Sequence, residues 1–289
     1  MRAAGDPELK VYGIFGYPLG HTVSPAIQNG AFDCCHLKSI YFAFERPPAR
    51  FRFLMRNLKL LLLDGFNVTV PFKETVIPFL DQLSPEAKAV GAVNTVKKEK
   101  NRWIGYNTDV HGFLAGLKEA RFKAKGKSVL ILGAGGSARA VAYALAKSGV
   151  RKVVIANRTK TRSRSLIQKL RKSFPKADWT NAGLKGKVLK QVLSKTDLLV
   201  NATKIGLKKN DPLLIPRNFF PKRKILVYDL IYKPRETRLL NVAKKMGHRV
   251  INGETMLLHQ GAKAFEIWTG RRAPVHEMRK ALHDALRAR

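Results

Sequence analysis

The chain has 289 residues, 45% of them hydrophobic and 9% aromatic, and its 55 basic against 20 acidic residues give a formal charge of +35; that length and composition predict ordinary globular packing in two domains. The only cysteines, Cys34 and Cys35, are adjacent, and the seven histidines are scattered, which excludes a disulfide framework and a metal site. No apolar run approaches the roughly 18 residues of a membrane span, and residues 1–10 lack the apolar core of a secretory signal, so a cytoplasmic protein is expected.

Residues 11–15 alternate as a strand and run into the loop GYPLGHTVSP at 16–25, where Ser24 before Pro25 reads as an N-cap followed by the first helical residue. The helix continues to residue 35. Residues 40–44 form a second strand, 49–63 an amphipathic helix ended by Asp64 and Gly65, and 66–70 a third strand. Pro71, Phe72, Lys73 and Glu74 start the next helix. This repetition of strand, helix and strand predicts a parallel sheet. Thr22, Ser24 and Lys73 then fall just beyond strand carboxyl ends, where open α/β sheets bind ligands. Taken alone, capping explains the hydroxyls and a surface position explains the lysine. Residues 92–97 and 102–107 read as a hairpin around the polar turn 98–101, and Asn107, Thr108 and Asp109 open a helix over 110–120.

A basic crossover at 121–127 leads into the stretch that organises the chain, SVLILGAGGSARAVAYALA at 128–146. A short β-branched strand, the turn Gly133-Ala134-Gly135-Gly136-Ser137-Ala138 and an Ala-rich helix follow one another, the context that separates a dinucleotide fingerprint from a chance glycine pattern. Gly133 permits the tight turn, Gly135 lets backbone approach a pyrophosphate, and Ala138 keeps helix and strand close. The helix start offers free N–H groups and a positive dipole end to phosphates. The next strand, 152–156, ends in Asn157, Arg158 and Thr159. An NAD site usually has an acid there for the ribose 2′-hydroxyl, whereas an arginine suits a 2′-phosphate, so NADP is expected. A helix over 161–173, strands at 198–200, 224–230 and 249–251, and a helix over 236–246 complete this domain. Two final amphipathic helices, 256–268 and 275–287, are expected to pack back on the first domain. The basic residues are spread along the whole chain without a zinc-finger, RNP or basic-zipper pattern, so no specific nucleic-acid partner is expected.

The ordered motifs NVTVPFK at 67–73, GAVNT at 91–95, GYNTD at 105–109, GAGGSA at 133–138, NRT at 157–159 and the tail GETMLLHQGAKAFEIWTG at 253–270 join GYPLGHTVSP, Asn201-Ala202-Thr203 and Tyr232-Lys233-Pro234 over nearly the whole chain. Together they resemble the shikimate dehydrogenases and their quinate/shikimate relatives. The resemblance implies a two-domain α/β fold. Residues 1–109, completed by helices in 254–289, would bind substrate on a mostly parallel sheet; residues 110–253 would be a Rossmann-type NADP domain. It implies reversible hydride transfer between NADPH and 3-dehydroshikimate, giving shikimate, in a monomer or homodimer. Lys73 and Asp109 match the family's catalytic pair. Thr22, Ser24, Thr69 and Tyr232 match groups at the substrate carboxylate, and Asn67, Asn94 and Gln260 match the rest of its polar site. Cofactor contacts carry over to Gly133, Ala134, Gly135, Gly136, Ser137, Ala138, Asn157, Arg158, Thr159, Thr203, Leu207 and Gly253.

The chain departs from the family's usual pattern at three positions: Thr22 replaces serine, Lys204 replaces a small residue or proline, and Leu207 replaces methionine. The methyl of Thr22 bears on the choice between shikimate and quinate. Leucine for methionine conserves volume. The rivals are a quinate/shikimate dehydrogenase using NAD, which Asn157 and Arg158 disfavour, and a non-catalytic NADP- or nucleic-acid-binding protein, which Lys73 and Asp109 disfavour.

Overall fold

The computed structural model describes residues 9–20, 22–184 and 186–288, and the chain divides into two units, Met1–Thr108 with Leu258–Arg289, and Asp109–Leu257. The first unit begins with β1 (Lys10–Gly16), α1 (Ser24–Cys34), β2 (Ser39–Glu45), α2 (Pro48–Arg56) and β3 (Gly65–Val68). It continues with β4 (Gln82–Leu83), α3 (Pro85–Val90), β5 (Thr95–Glu99) and β6 (Arg102–Tyr106). Its sheet runs β2-β1-β3-β5-β6-β4, parallel from β2 to β3 and between β6 and β4, with β5 antiparallel to both neighbours. One face packs on an aromatic core of Phe15, Phe51, Phe66, Phe72 and Trp103, where the Phe51 and Phe72 rings stack at 3.8 Å.

Several sequence expectations for this unit need correction. Ser24 is not an N-cap but lies inside α1; Val23 holds the cap position, and the Thr22 hydroxyl accepts from the Ser24 N–H at 3.4 Å. The helix expected over 49–63 stops at Arg56, and a single 3₁₀ turn follows at Leu58–Leu60. Leu60 and Leu62 are 78% and 91% exposed, so they never joined the buried stripe that the pattern suggested. Residues 70–76 form consecutive turns instead of a helix, closed by Phe72 N–H to Thr69 C=O at 2.7 Å and Val76 N–H to Phe72 C=O at 3.0 Å. Pro78 limits any helix started at Pro71 to less than two turns, since proline lacks a donor and restricts the residue before it. The hairpin turn is tighter than expected: only Lys100 and Asn101 separate β5 from β6, with φ of 47° and 63°, as a two-residue primed turn requires. The short elements α3 and β4 are additions to the elements expected from the sequence.

The second unit comprises α4 (Asp109–Glu119), β7 (Ser128–Leu132), α5 (Gly136–Lys147), β8 (Lys152–Ala156), α6 (Lys160–Ser173) and β9 (Asp178–Ala182). Then come α7 (Lys187–Ser194), β10 (Leu198–Asn201), β11 (Leu226–Asp229), α8 (Arg238–Lys245) and β12 (Arg249–Ile251). Its sheet is wholly parallel in the order β12-β11-β10-β7-β8-β9, the doubly wound nucleotide-binding arrangement. Every residue of β7, β10 and β11 is buried, which is why they read as unbroken apolar runs. β9 and α7 were not foreseen: β9 is an edge strand with three polar residues in five, and the buried Leu189 and Leu193 of α7 sit within a basic run.

The chain ends in α9 (Glu254–Thr269) and α10 (Val275–Arg287). Residues from Leu258 onward belong to the first unit, where α10 packs on α1, Trp268 Nε1 donates to Val96 C=O at 2.9 Å and Gln28 Nε2 donates to Gly261 C=O at 2.9 Å. Among the described residues no helix is long and apolar enough to cross a membrane, and no group of three or more His, Cys, Asp or Glu is placed to hold a metal ion.

Candidate active site

In the first unit the polar candidates gather at one edge of the sheet. Because β1 and β3 are parallel, their carboxyl ends lie side by side; Thr69 N–H donates to Phe15 C=O at 2.8 Å and Tyr17 N–H to Val70 C=O at 3.0 Å. A side chain at Gly16 would put its Cβ 2.5 Å from Thr69 Cγ2, so glycine there is what admits Thr69. The antiparallel β5 and β6 bring their opposite ends to the same edge, pairing Asn67 with Thr95 and Thr95 with Tyr106.

Asn67, Asn94 and Gln260 meet there. Asn67 accepts from the Tyr41 hydroxyl at 2.6 Å and donates to Asn94 C=O and Thr95 Oγ1, both at 2.9 Å. Asn94 Nδ2 donates to Thr108 Oγ1 at 2.9 Å and to Gln260 Oε1 at 3.2 Å, while its Oδ1 accepts from Thr108 N–H at 2.7 Å. These bonds fix which face each amide turns outward. Burial pushes the Tyr41 hydroxyl well above its ordinary pKa, which keeps it a neutral donor to Asn67. Tyr41, Thr95 and Thr108 are thus parts of the array that the sequence reading had not assigned to it. Lys73 is buried, 9% exposed, and its C=O accepts from Val93 N–H at 2.8 Å, which ties the turn after β3 to the residue before Asn94. Ser24 is buried and Thr22 and Thr69 are half-buried in the loops after β1 and β3.

The second unit carries the other candidates. Asp109, 4% exposed, is the first residue of α4. The turn after β7 has Gly133 at φ +110°, where a Cβ would also lie 2.9 Å from Ala202 C=O, so only glycine fits. Ala134 and Ala138 are buried, whereas Gly135 is exposed and a Cβ there would meet nothing within 4 Å. Gly136 and Ser137 are half-buried in the first turn of α5. The turn therefore leaves open space over a helix N-terminus, the shape and polarity that a pyrophosphate takes. Asn157, Arg158 and Thr159 follow the adjacent β8, with Asn157 Nδ2 bonded to Thr159 C=O at 2.9 Å and Arg158 exposed.

The loops after β10 and β11 are organised by Asp229, which is fully buried and which the sequence reading did not single out. Its carboxylate accepts from Asn201 Nδ2 at 2.9 Å, Ile231 N–H at 3.1 Å and Thr237 Oγ1 at 2.7 Å. Asn201 in turn accepts from the N–H and hydroxyl of Thr203 at 3.0 and 2.8 Å. Burial raises the Asp229 pKa, against the opposing pull of those three donors. Leu207 and Lys204 are exposed and Tyr232 is half-buried in these loops. A side chain on Gly253 would run into Leu230 C=O, so glycine seats the start of α9 against the end of β11. Since β7 and β10 are neighbours whose chains continue in opposite directions across the sheet, their loops flank the switch point where doubly wound sheets bind nucleotides. The only sign of Asp229 in the sequence is a carboxylate closing an apolar strand.

Comparison with known proteins supplies the family. Residues 14–96 match the shikimate dehydrogenase substrate binding domain, 116–208 the shikimate / quinate 5-dehydrogenase family and 253–283 the shikimate 5′-dehydrogenase C-terminal domain. The shikimate dehydrogenase (NADP(+)) of Methanopyrus kandleri is 42% identical over 98% of both chains. The crystal structure of shikimate 5-dehydrogenase from Thermus thermophilus in complex with NADP(H) and shikimate superposes with a TM-score of 0.84 at 35% identity, covering 96% of this chain and 99% of that one. Quinate dehydrogenase from Corynebacterium glutamicum, in complex with NAD, superposes with a TM-score of 0.85 at 30% identity, covering 95% and 99%. With family motifs, sequence identity and fold in agreement, the chain belongs to the shikimate dehydrogenase family.

Proposed function

We propose that the chain is an oxidoreductase acting on a CH–OH group. In this reading it catalyses reversible reduction of 3-dehydroshikimate to shikimate with NADP(H), the step this family supplies to chorismate and aromatic amino-acid biosynthesis. The first unit is its substrate domain and the second its cofactor domain. The observation that carries the reading is the array Asn67–Asn94–Gln260 at the sheet edge, with buried Lys73 tied to the same strand entry. Three amides held in fixed orientation suit a small ring bearing several hydroxyls, because an unpaired buried amide would otherwise be costly. Thr22, Ser24, Thr69 and Tyr232 take the carboxylate end in this reading.

The residues of the second unit fit a dinucleotide: Gly135 leaves space, Gly133 makes the turn and the α5 N-terminus offers donors. NADP, when bound, accepts or supplies the hydride. Arg158 and Thr159 hold the 2′-phosphate, and the absence of an acid at Asn157 removes the usual partner of an unphosphorylated ribose. Thr203, fixed through Asn201 and Asp229, shapes the loop beside the glycine turn, and Gly253 lets the chain pass against the Leu230 backbone.

Oxidising a ring hydroxyl requires removal of its proton. Lys73 takes that proton directly or through a water, and Asp109 is the carboxylate partner in the transfer. In the reducing direction the Lys73 ammonium polarises the carbonyl and stabilises the developing alkoxide. The test is the initial rate of NADP+ reduction with shikimate, with quinate and NAD+ run in parallel. Fast turnover with shikimate and NADP+ alone is expected. Comparable rates with quinate or NAD+ would move the chain to the broader relatives and turn attention to Thr22 and Arg158. No turnover with any pair would refute the enzyme reading.

A further inference from the structure

The chain's charge is unevenly divided. Residues 109–257 hold 34 basic less 8 acidic residues, so +26 of the total +35 lies in the second unit. Within it, residues 157–177 contain eight basic residues and no acidic one. Six of the eight are in α6, and all six, Lys160, Arg162, Arg164, Lys169, Arg171 and Lys172, are exposed. The only carboxylate in the neighbouring β9 is Asp178, already paired with Lys152 at 2.8 Å. Between α6 and β9 runs a groove of about 560 Å³, lined by Arg164, Gln168, Arg171, Lys172 and Asn181 over Ile167 and Trp179. Its polar lining is three cations and two amides, with no carboxylate. Arg164, Gln168, Arg171 and Lys172 follow a spacing of four, three and one, which puts them on one face of the helix.

We propose that this groove and the basic face of α6 bind the phosphodiester backbone of nucleic acid without reading its sequence. The charged groups of the lining are all donors and match phosphate oxygens, and such contacts position a duplex but carry no base information. Arg164 and Arg171 stand seven residues apart, about 10.5 Å along the helix axis, close to three steps of about 3.4 Å along a DNA strand. The basic field continues beyond the groove at both ends, which suits a long polyanion better than a single small anion. A membrane surface fits less well, because the apolar residues of α6, Leu166, Ile167 and Leu170, are buried in the unit and leave nothing to insert into lipid. The groove runs away from the proposed 2′-phosphate site: Arg164 and Lys172 lie about 6 and 18 Å along the helix from Lys160, the residue that follows Arg158 and Thr159.

The test uses the full chain and a labelled random duplex of about 20 base pairs, followed by fluorescence anisotropy between about 50 and 200 mM salt, with and without saturating NADP+. The wild-type protein is expected to bind, with affinity falling steeply as salt rises. Arg164→Ala combined with Lys172→Ala should make the slope of log affinity against log salt shallower by about 1.8, at about 0.9 per phosphate contact. Alanine favours helix, and Arg171 is kept because its Nη2 donates to Trp179 C=O at 2.9 Å, so the fold is preserved and dehydrogenase turnover should be unchanged. Gln168→Glu, which places a carboxylate in the groove, should weaken binding as well. Lys123→Ala combined with Lys125→Ala, two exposed lysines of the crossover before β7, should leave the slope at its wild-type value. Four results would overturn the proposal: no duplex binding, equal loss in the crossover variant, displacement of the duplex by NADP+, or tighter binding to vesicles of anionic lipid than to duplex.

Discussion

Gly133 and Gly135 stand two residues apart in one turn, yet their replacement by alanine should fail in different ways. At Gly133 a side chain must adopt φ +110°, and its Cβ would lie 2.9 Å from the Ala202 C=O, a backbone atom that cannot swing aside. Strain of this kind costs on the order of 1–3 kcal/mol. At about 2–4 °C per kcal/mol for a chain of this size, Gly133→Ala should lower Tm by roughly 4–12 °C when the close contact pushes the cost to the upper half of that range. Gly135 has φ −87° and open space where a Cβ would go. Losing glycine at the N-cap of α5 costs about 0.5–1 kcal/mol, and restricting the unfolded chain returns about 0.4–1 kcal/mol, so Tm should stay within about 2 °C. The new methyl, however, stands over the α5 N-terminus, and NADP+ affinity should fall at least about tenfold, or 1.4 kcal/mol. Thermal melts without cofactor and calorimetric titration with NADP+ separate the two effects. Early melting of Gly135→Ala with wild-type affinity would refute the idea that this glycine is there to admit phosphate, and wild-type melting of Gly133→Ala would refute the strain argument.

Three further outcomes follow from the geometry. Arg158→Ala should raise KM for NADP+ by about 10–150-fold, the equivalent of about 1.5–3 kcal/mol for a charged hydrogen-bonding pair, while leaving the weaker NAD+ reaction unchanged; an equal loss with both cofactors would remove Arg158 from 2′-phosphate recognition. Lys73→Ala should reduce kcat by about 10²–10⁴-fold with little change in KM for shikimate, and steady-state kinetics that show a loss of binding alone would take Lys73 out of catalysis. Asp229 supplies a pH test. Burial raises its pKa in the folded state, so above the ordinary value of 3.8 the folded protein holds this proton more tightly than the unfolded chain does. Its contribution to stability therefore falls as pH rises from 3.8 through the raised folded value. Denaturant midpoints of wild type minus Asp229→Asn should decline across that window, and a difference that climbs with pH would mean that the three donors outweigh burial.

What was legible in the sequence was local, and what was not depended on partners far along the chain. The glycine turn could be read because strand, turn and helix are consecutive and the demand on Gly133 is set by its own backbone. The position of Arg158 is equally plain, since the end of one strand and the start of the next helix place it. The turn carrying Lys73 was misread as a helix because Pro71 suits a first helical turn as well as it suits a loop, and only the distance to Pro78 decides against the helix. Asn94 shows the other limit. Its amide bonds to Thr108, 14 residues on, and to Gln260, 166 residues on, so the sequence marks an asparagine at a strand entry without revealing what holds it. Asp229 is hidden for the same reason: its value lies in Asn201, 28 residues earlier, and only the pairing of β10 with β11 brings the two together. The array in the first unit and the network in the second are thus consequences of sheet register. A register shift of one residue in either sheet would turn Asn67 or Asp229 to the opposite face and undo the site while leaving every motif in the sequence intact.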